Sequence, residues 1–258
     1  MKIISKILIA AMLVSCLFAF ASCTIPEAGG ELSFELSHDG DYYMVMGIGT
    51  FSGKELVIPA EYKGVPVKMI DNCAFENCTS LEKVTIPEGV EYIGNFAFSA
   101  CTSLKEINVP ASVTELKDGL FAGCTSLTNV TLHDGITVMG QSVFANCSSL
   151  KSVKLPAKIK AVSGQTFKGC TSLESIVVPE GVEKIQTFSF SGCTSLVEIV
   201  IPASVTRIEF KTFESCSALV SIEFGGKTSE WNDIKKSPQW NVGTGDYTVY
   251  CSNGEAGK

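Results

Sequence analysis

The apolar positions of this chain recur every 23 residues. Each unit carries a phenylalanine, a cysteine three positions later and a leucine three positions after the cysteine, and seven units follow one another without an insertion or deletion. The phenylalanines are Phe75, Phe98, Phe121, Phe144, Phe167, Phe190 and Phe213, the cysteines are Cys78, Cys101, Cys124, Cys147, Cys170, Cys193 and Cys216, and the leucines are Leu81, Leu104, Leu127, Leu150, Leu173, Leu196 and Leu219. Such a fixed period predicts a solenoid, because one coil cannot bury its apolar side alone and must stack on its neighbours.

A short strand is predicted after each leucine. In the first unit Val84 lies between Lys83 and Thr85, so it should point inward and its two neighbours outward. Proline follows the strand in five of the seven units and ends it, since proline has no amide proton to donate to a ladder. His133 and Gly225 take that place in the other two units. The expected strands form one parallel sheet of a right-handed solenoid and lie near residues 81–86, 104–109, 127–132, 150–155, 173–178, 196–201 and 219–224.

The remainder of each unit returns the chain to the next strand. Apolar pairs such as Val90 and Ile93 should rejoin the core on the return side, and the stretch around each phenylalanine is expected to form a single helical turn. A period in the twenties with the spacing L-x-x-[VI]-x-[VIL] is the signature of a leucine-rich repeat. The predicted fold class is therefore a leucine-rich-repeat solenoid with a parallel β-sheet and short helical turns.

The repeat resembles that of the BspA-like family of bacterial leucine-rich-repeat proteins, written I-P-x-x-V-x-x-I-x-x-x-A-F-x-x-C-x-x-L. The resemblance covers nearly all of the chain after the N-terminal apolar segment, and residues 56–67 look like the first repeat of that family, which carries an extra loop. Only the first two units keep alanine before the phenylalanine, and the later units have Leu120, Val143, Thr166, Ser189 and Thr212 there. The resemblance implies a bacterial surface protein that adheres to host matrix proteins or to other bacteria.

Both ends of the solenoid are expected to carry caps that keep the terminal coils from exposing their core. Residues 32–36 and 42–47 alternate around a turn and predict an N-terminal hairpin. A helix over residues 228–236 and a closing strand are predicted at the C-terminus, with Trp231 and Trp240 buried beneath this cap. The predicted divisions are a signal peptide (1–22), a tether (23–30), an N-terminal hairpin cap (31–55), the solenoid (56–224), a C-terminal cap (225–252) and a frayed tail (253–258).

The N-terminal segment predicts export. A positively charged start and an apolar run over residues 7–21 have the layout of a signal peptide. At its end Phe20-Ala21-Ser22-Cys23 resembles the lipobox of bacterial lipoproteins, which predicts lipid on Cys23 and attachment to the outer face of a membrane or the cell surface. Cys16 is a second candidate for lipidation. Ordinary cleavage after Ala21 is a third reading and would release a secreted protein.

Composition argues against several functional classes. The formal net charge of −7 disfavours a nucleic-acid partner, which is bound through its phosphates. His38 and His133 are the only histidines, and no catalytic or cofactor motif accompanies them, so no enzyme activity, cofactor or metal site is expected. The column of seven cysteines is interpreted as core packing. Cys73 and Cys251 lie outside the repeat register and are the better candidates for reactive thiols.

The leading functional hypothesis is a surface-displayed scaffold that binds a protein ligand, since a solenoid presents an extended face of variable side chains. The alternative is an envelope-structural or carbohydrate-associated spacer without a specific protein ligand. Outward strand positions are polar in the early coils, whereas Val177 and Val200 adjoin in one late column and Val197 and Val220 in another. These four valines are the candidate ligand-binding face, and contact with the C-terminal cap is the competing explanation for them.

Overall fold

The computed structural model describes residues 30–256 of the 258-residue chain. These residues form a parallel β-solenoid of about nine turns with very little helix, which confirms the predicted fold class. The predicted signal peptide, Cys16, Cys23, the tether up to residue 29 and the last two residues of the predicted tail lie outside the described residues.

Twenty short strands and one helix make up the described part of the chain. In chain order they are β1 (Ser33–Leu36), β2 (Tyr43–Gly47), β3 (Glu55–Val57), β4 (Glu61–Tyr62), β5 (Val65–Ile70), β6 (Lys83–Thr85), β7 (Tyr92–Ile93), β8 (Glu106–Asn108), β9 (Glu115–Leu116), β10 (Asn129–Thr131), β11 (Val138–Met139), β12 (Ala161–Val162), β13 (Ser175–Val177), β14 (Lys184–Ile185), β15 (Glu198–Ile201), β16 (Arg207–Ile208), β17 (Ser221–Phe224), α1 (Thr228–Asp233), β18 (Lys235–Lys236), β19 (Thr248–Cys251) and β20 (Gly254–Ala256).

The front ladder is the strand series that the repeat predicts. It consists of β3, β6, β8 and β10 toward the N-terminus and of β13, β15, β17 and β19 toward the C-terminus. All pairings within these two groups are parallel, as predicted. The strands have three or four residues rather than six, because the leucine before each strand lies in a bend. Its amide donates to the carbonyl of the cysteine three residues earlier, as Leu104 does to Cys101 at 3.0 Å.

One predicted strand is absent, and the front ladder is divided at that coil. Residues 150–155 are not assigned to a strand, and residues 152–155 make no backbone–backbone hydrogen bond within the described part of the chain. The inward Val153 is only half-buried, as is Val130 one coil earlier. The backbone of this segment therefore lies out of hydrogen-bonding reach of its neighbours, although Leu155 stays buried in the core, and the prediction of one continuous sheet is wrong here.

The return side of the coils forms a second ladder that the repeat pattern does not predict. Its strands pair in parallel in three groups, which are β5 with β7, β9 with β11, and β12 with β14, β16 and β18 in that order. Their inward residues, such as Ile93 and Leu116, are buried as predicted. Within these groups, neighbouring coils are thus joined by backbone hydrogen bonds on the return side, in addition to those of the front ladder where it is continuous.

The turn side, which carries the phenylalanines, is not helical. The prediction of a single helical turn in each unit is therefore wrong. Two residues per coil adopt a left-handed φ, one two positions before the phenylalanine and one two positions after it. The first set is Cys73, Phe96, Gly119, Ser142, Gln165, Phe188 and Lys211, and the second is Asn77, Ala100, Gly123, Asn146, Gly169, Gly192 and Ser215. Alternate amides consequently donate to the next coil, as Phe98 does to Leu120 (3.1 Å) and Ala100 to Ala122 (2.7 Å). These inter-coil hydrogen bonds offset the cost of left-handed backbone at non-glycine residues.

The core is a stack of aromatic rings. The seven repeat phenylalanines are fully buried, and successive ring centroids lie 5.1 to 6.1 Å apart with nearly parallel planes. Trp240 ends the stack with its ring edge-on to Phe213 at 5.9 Å. Trp231 is buried as predicted, whereas Trp240 is half-buried.

The polar residues that replace alanine before three phenylalanines are also accommodated in the core. Thr166, Ser189 and Thr212 are fully buried. Each hydroxyl donates to the carbonyl three residues earlier, at 2.7, 2.7 and 2.8 Å respectively. A buried hydroxyl that has its hydrogen bond costs little, so these departures from the repeat leave the fold intact.

The C-terminal segment is a further coil with a helix inserted into it. Helix α1 ends at Asp233, earlier than predicted, because the Lys235 amide donates to the carbonyl of Thr206 (3.0 Å) and starts β18. Strand β19 then continues the front ladder, and β20 folds back antiparallel to it. Residues 254–256 are therefore paired rather than frayed. At the other end β1 and β2 pair antiparallel, and β2 joins β5 in parallel.

Candidate functional site

The front face, defined as the outward side chains of the front ladder, has three columns with one residue per coil. The first column is Glu82, Lys105, Thr128, Lys151, Glu174, Val197 and Val220; the second is Lys83, Glu106, Asn129, Ser152, Ser175, Glu198 and Ser221; the third is Thr85, Asn108, Thr131, Lys154, Val177, Val200 and Glu223. Backbone pairing aligns equivalent residues of neighbouring coils. The residue types listed in a column therefore follow one another across the surface, from the N-terminal to the C-terminal end.

The N-terminal part of the front face is charged but internally neutralised. The carboxylate of Glu82 lies 2.8 Å from Lys54 Nζ and 2.6 Å from Lys105 Nζ. Hydrogen bonds and charge from Lys105 and Lys54 lower the pKa of Glu82 to about 2. Lys83 and Glu106 form a further ion pair between adjacent coils. Exposed pairs of this kind contribute little to stability, and they leave this end of the face polar.

The C-terminal part of the front face carries valines in its first and third columns. The exposed fractions of Val177, Val197 and Val220 are 60%, 45% and 53%, and Val200 is half-buried. Val177 is the register partner of Val200, and the Val220 amide donates to the carbonyl of Val197 at 3.0 Å. Each predicted pair therefore adjoins across neighbouring coils, and the middle column with Glu198 lies between the two pairs. These four residues are called the valine patch. Three of them are too exposed to be covered by the C-terminal segment.

A groove of about 400 Å³ adjoins the valine patch, and the sequence contained no signal for it. It opens at the coil where residues 152–155 leave the front ladder. Its lining residues are Ser152, Val153, Lys154, Leu155, Ala157, Ser175, Ile176, Val177 and Pro179. Because Val177 belongs to both, patch and groove form one continuous apolar feature. The repeat register at this coil is unbroken, so periodicity alone could not reveal the opening.

An outward valine at the other end of the face was also missed. Val57 in β3 is 69% exposed, although it belongs to the same column as Thr85. The alternation of Leu56, Val57 and Ile58 was a sufficient signal for it. Val57 has no valine neighbour in its column, so it does not extend into a patch.

The cysteine column is buried along its whole length. The thiols of the last six column cysteines donate to the phenylalanine carbonyl of the preceding coil at 3.0 to 3.1 Å. Burial raises the pKa of Cys170 and of Cys216 to about 12, which keeps these thiols protonated. Cys73 and Cys251 are half-buried, and burial raises the pKa of Cys251 as well.

Two kinds of feature are absent from residues 30–256. Within that range no three His, Cys, Asp or Glu side chains are grouped so that they could hold a metal ion. None of the helical structure there has the length and apolar character needed to cross a membrane.

Comparison with known proteins places the repeats in a described class. Residues 68–196 and 160–237 match the family described as the BspA type leucine rich repeat region, with six copies. The chain is 32% identical to a leucine rich repeat protein of T. pallidum, covering 67% of this chain and 81% of that one with a TM-score of 0.62. No curated protein sequence matches the chain.

Two more distant structures share the fold. A leucine rich cell surface protein from Faecalibacterium prausnitzii A2-165 is 20% identical over 82% of this chain and 98% of its own, with a TM-score of 0.52. A leucine-rich repeat protein from Bacteroides ovatus ATCC 8483 is 24% identical over 85% of this chain and 71% of its own, with a TM-score of 0.56.

Proposed function

Because the chain belongs to the BspA-type leucine-rich-repeat family, we propose that it is a surface-displayed scaffold that binds a protein ligand through the valine patch. The observation that carries this proposal is the change of character along the front face, from ion-paired side chains at the N-terminal end to adjoining exposed valines at the C-terminal end. A host matrix protein or a protein of another cell is the expected ligand.

The patch has the composition of a protein-binding surface. Its two valine pairs and the adjoining groove supply apolar surface, Glu198 lies between the pairs, and Lys154 and Glu174 lie beside them as polar neighbours. Protein interfaces combine an apolar centre that loses water on binding with a solvated rim. The groove next to Val177 offers room for an apolar side chain of the ligand.

Attachment to the cell surface is part of the proposal. Lipid on Cys23 would hold the solenoid outside the membrane, with Cys16 as the alternative site and cleavage after Ala21 as the route to a secreted form. A fold relative is named as a cell surface protein, which supports display on the outside of the cell. The competing function, a spacer without a specific protein ligand, assigns no role to the valine patch.

A double substitution tests the proposal. Val177→Thr with Val200→Thr keeps β-branched shape while removing apolar contact, so residues 24–258 carrying both should capture ligand about tenfold more weakly, since 1.4 kcal/mol corresponds to a factor of ten. Capture is measured on immobilised matrix proteins and on whole bacterial cells. The control is Val138→Thr on the return ladder, where the valine is similarly exposed. Equal capture by the double variant and the control contradicts the proposal.

A further inference from the structure

A second groove lies at the corner between the return ladder and the turn side, away from the front face. The corner column holds one residue per coil, namely Asn72, Asn95, Asp118, Gln141, Gly164, Thr187 and Phe210. Its first side chains form a hydrogen-bonded ladder. The Asn95 amide donates to Asn72 Oδ1 (2.8 Å), the Asp118 amide to Asn95 Oδ1 (3.1 Å) and the Gln141 amide to Asp118 Oδ1 (2.7 Å). Gly164 then interrupts the column.

Neither backbone conformation nor packing requires the glycine at position 164. Its φ is not among the left-handed values found elsewhere in the chain. A Cβ atom added there would lie 3.4 Å from the carbonyl oxygen of Thr187, its nearest neighbour, which is ordinary contact. What the missing side chain leaves is a groove of about 380 Å³, a volume in the range of small-ligand sites.

Polar groups with free hydrogen-bonding capacity line this corner groove. The chain has four glutamines, and three of them, Gln141, Gln165 and Gln186, are in the lining. Gln186 Oε1 accepts from the Gly164 amide at 3.1 Å, which leaves its amide protons for a ligand. Within residues 30–256 the side-chain amides of Gln141 and Gln165 have no hydrogen-bond partner.

Glu209 and Phe188 complete the lining. Glu209 Oε2 accepts from both the amide (3.2 Å) and the hydroxyl (3.0 Å) of Thr187, so the carboxylate is held in place with its other oxygen available as an acceptor. Phe188 forms an apolar wall and packs edge-on against the exposed Phe210 at 5.7 Å. Lys168 Nζ lies 5.4 Å from the centre of the Phe188 ring.

We propose that the corner groove binds a neutral saccharide. Each hydroxyl of a sugar both donates and accepts a hydrogen bond. The side-chain amides provide an NH₂ donor group and a carbonyl acceptor, and the carboxylate oxygen provides a further acceptor. The C–H face of a sugar ring suits the apolar wall that Phe188 provides. Charges of both signs lie at the groove, since Glu209 is in the lining and the ammonium groups of Lys168 and Lys211 lie 5.4 and 5.9 Å from the centre of the Phe188 ring, so the expected ligand is neutral. The site is independent of the valine patch, which lies on the front face.

The glutamine side chains report binding directly. In protein labelled with ¹⁵N only at glutamine, a panel of neutral mono- to tetrasaccharides of hexoses and N-acetylhexosamines is titrated to millimolar concentration. A member that binds should shift the side-chain amide signals of Gln141, Gln165 and Gln186 and leave that of Gln239 unchanged, since Gln239 is not in the lining. The proposal is overturned if no saccharide shifts these signals, or if Gln239 shifts equally. It is also overturned if a peptide shifts the signals of the lining glutamines and no saccharide does.

Matched variants separate the site from an effect on folding. Gln165 and Gln239 both have a left-handed φ, 59° and 58°, so replacing either by alanine carries the same backbone consequence. Gln165→Ala should weaken saccharide binding about tenfold, the value of one lost hydrogen bond, whereas Gln239→Ala should not change it. Gly164→Asn restores the side chain found at this position in an earlier coil and should abolish binding. Unchanged binding by Gly164→Asn overturns the proposal.

Discussion

The Sγ atom of Cys170 lies 3.0 Å from the carbonyl oxygen of Phe144, 26 residues earlier in the chain. The thiol is therefore a hydrogen-bond donor between coils as well as a small apolar filler. These carbonyls belong to fully buried phenylalanines, and each also accepts from the cysteine amide of its own coil, as Phe144 does from Cys147 at 3.1 Å, so the thiol is a second donor. This relationship repeats along the solenoid and explains why the column combines small size with a polar hydrogen.

Removing one column thiol should destabilise the fold without affecting binding. Cys147→Ala leaves a small cavity and deprives the Phe121 carbonyl of a donor at 3.1 Å, so the free energy of unfolding should fall by about 1–3 kcal/mol. Chemical denaturation measures the loss. Cys251→Ala, at a half-buried position outside the column, is the control and should have a smaller effect. A Cys147→Ala protein as stable as the control would show that the hydrogen bond contributes nothing.

The column also predicts a loss of stability at alkaline pH. Burial raises the pKa of Cys170 and of Cys216 from 9.0 to about 12. Because the thiol pKa is higher in the folded than in the unfolded protein, the protonated thiols stabilise the folded state fully below pH 9. This contribution is lost as the pH rises from 9 toward 12, because the thiols of the unfolded protein ionise first. Each such thiol should lower the free energy of unfolding by about 1.4 kcal/mol per pH unit in that window.

Denaturation midpoints measured between about pH 8 and about pH 11 test this effect, because this range covers the onset of thiol ionisation. The Cys170→Ala, Cys216→Ala double variant should show a shallower decline than the unsubstituted protein, since two of the ionising groups are gone. Parallel declines in the two proteins would assign the alkaline loss to other residues.

Position 133 should accept the proline that most repeats have there. His133 Nε2 is buried without a hydrogen-bond partner in the described chain, and the His133 amide makes no backbone hydrogen bond there. The carbonyl of His133 accepts from Ile136 as that of Pro87 does from Val90. His133 Nδ1 accepts from the Gly135 amide at 3.1 Å, and at this partly exposed residue water can replace that acceptor. His133→Pro should therefore raise the free energy of unfolding by about 1 kcal/mol, because it reduces unfolded-chain entropy and removes the unpaired Nε2.

Gly225 is the matched opposite case, because it occupies the same repeat position but its amide donates to the Ile201 carbonyl at 2.9 Å. Gly225→Pro removes that hydrogen bond and should destabilise the protein by about 1–3 kcal/mol. Thermal unfolding of the two variants measures both changes in stability. A destabilised His133→Pro protein would mean that the turn at this coil differs from the turns with proline.

Membrane attachment should depend on Cys23. Each buried CH₂ of an acyl chain contributes about 0.8 kcal/mol to membrane binding, and several chains together hold a protein essentially permanently. Cys23→Ala in cells should abolish incorporation of a labelled fatty acid and move the protein to the soluble fraction. Cys16→Ala is the control. Labelling that survives Cys23→Ala but not Cys16→Ala would relocate the site, and no labelling of the unsubstituted protein would indicate secretion.

The sequence by itself determined the coil and its interior. Residues 23 apart occupy equivalent places in a regular stack, so a repeated phenylalanine, cysteine or leucine implies a continuous buried column, and these columns are buried in the structure. The outward pair Val177 and Val200 could be located because alternation along a strand assigns each residue to a face. Val197 and Val220 could be located because the position after the core leucine has a polar or charged residue in the other coils. A single sequence was enough for these features, since each depends on spacing within one unit.

The tertiary structure decided what depends on contacts between coils. The turn side is held by amides that donate to the next coil at residues such as Phe98 and Ala100, so a local pattern that suggested a helical turn predicted it wrongly. The gap at residues 152–155 and the corner groove at Gly164 arise from how one coil lies against the next, which a preserved register does not reveal. Helix α1 ended early for the same reason, because the hydrogen bond between Lys235 and Thr206 joins residues that no local sequence signal connects.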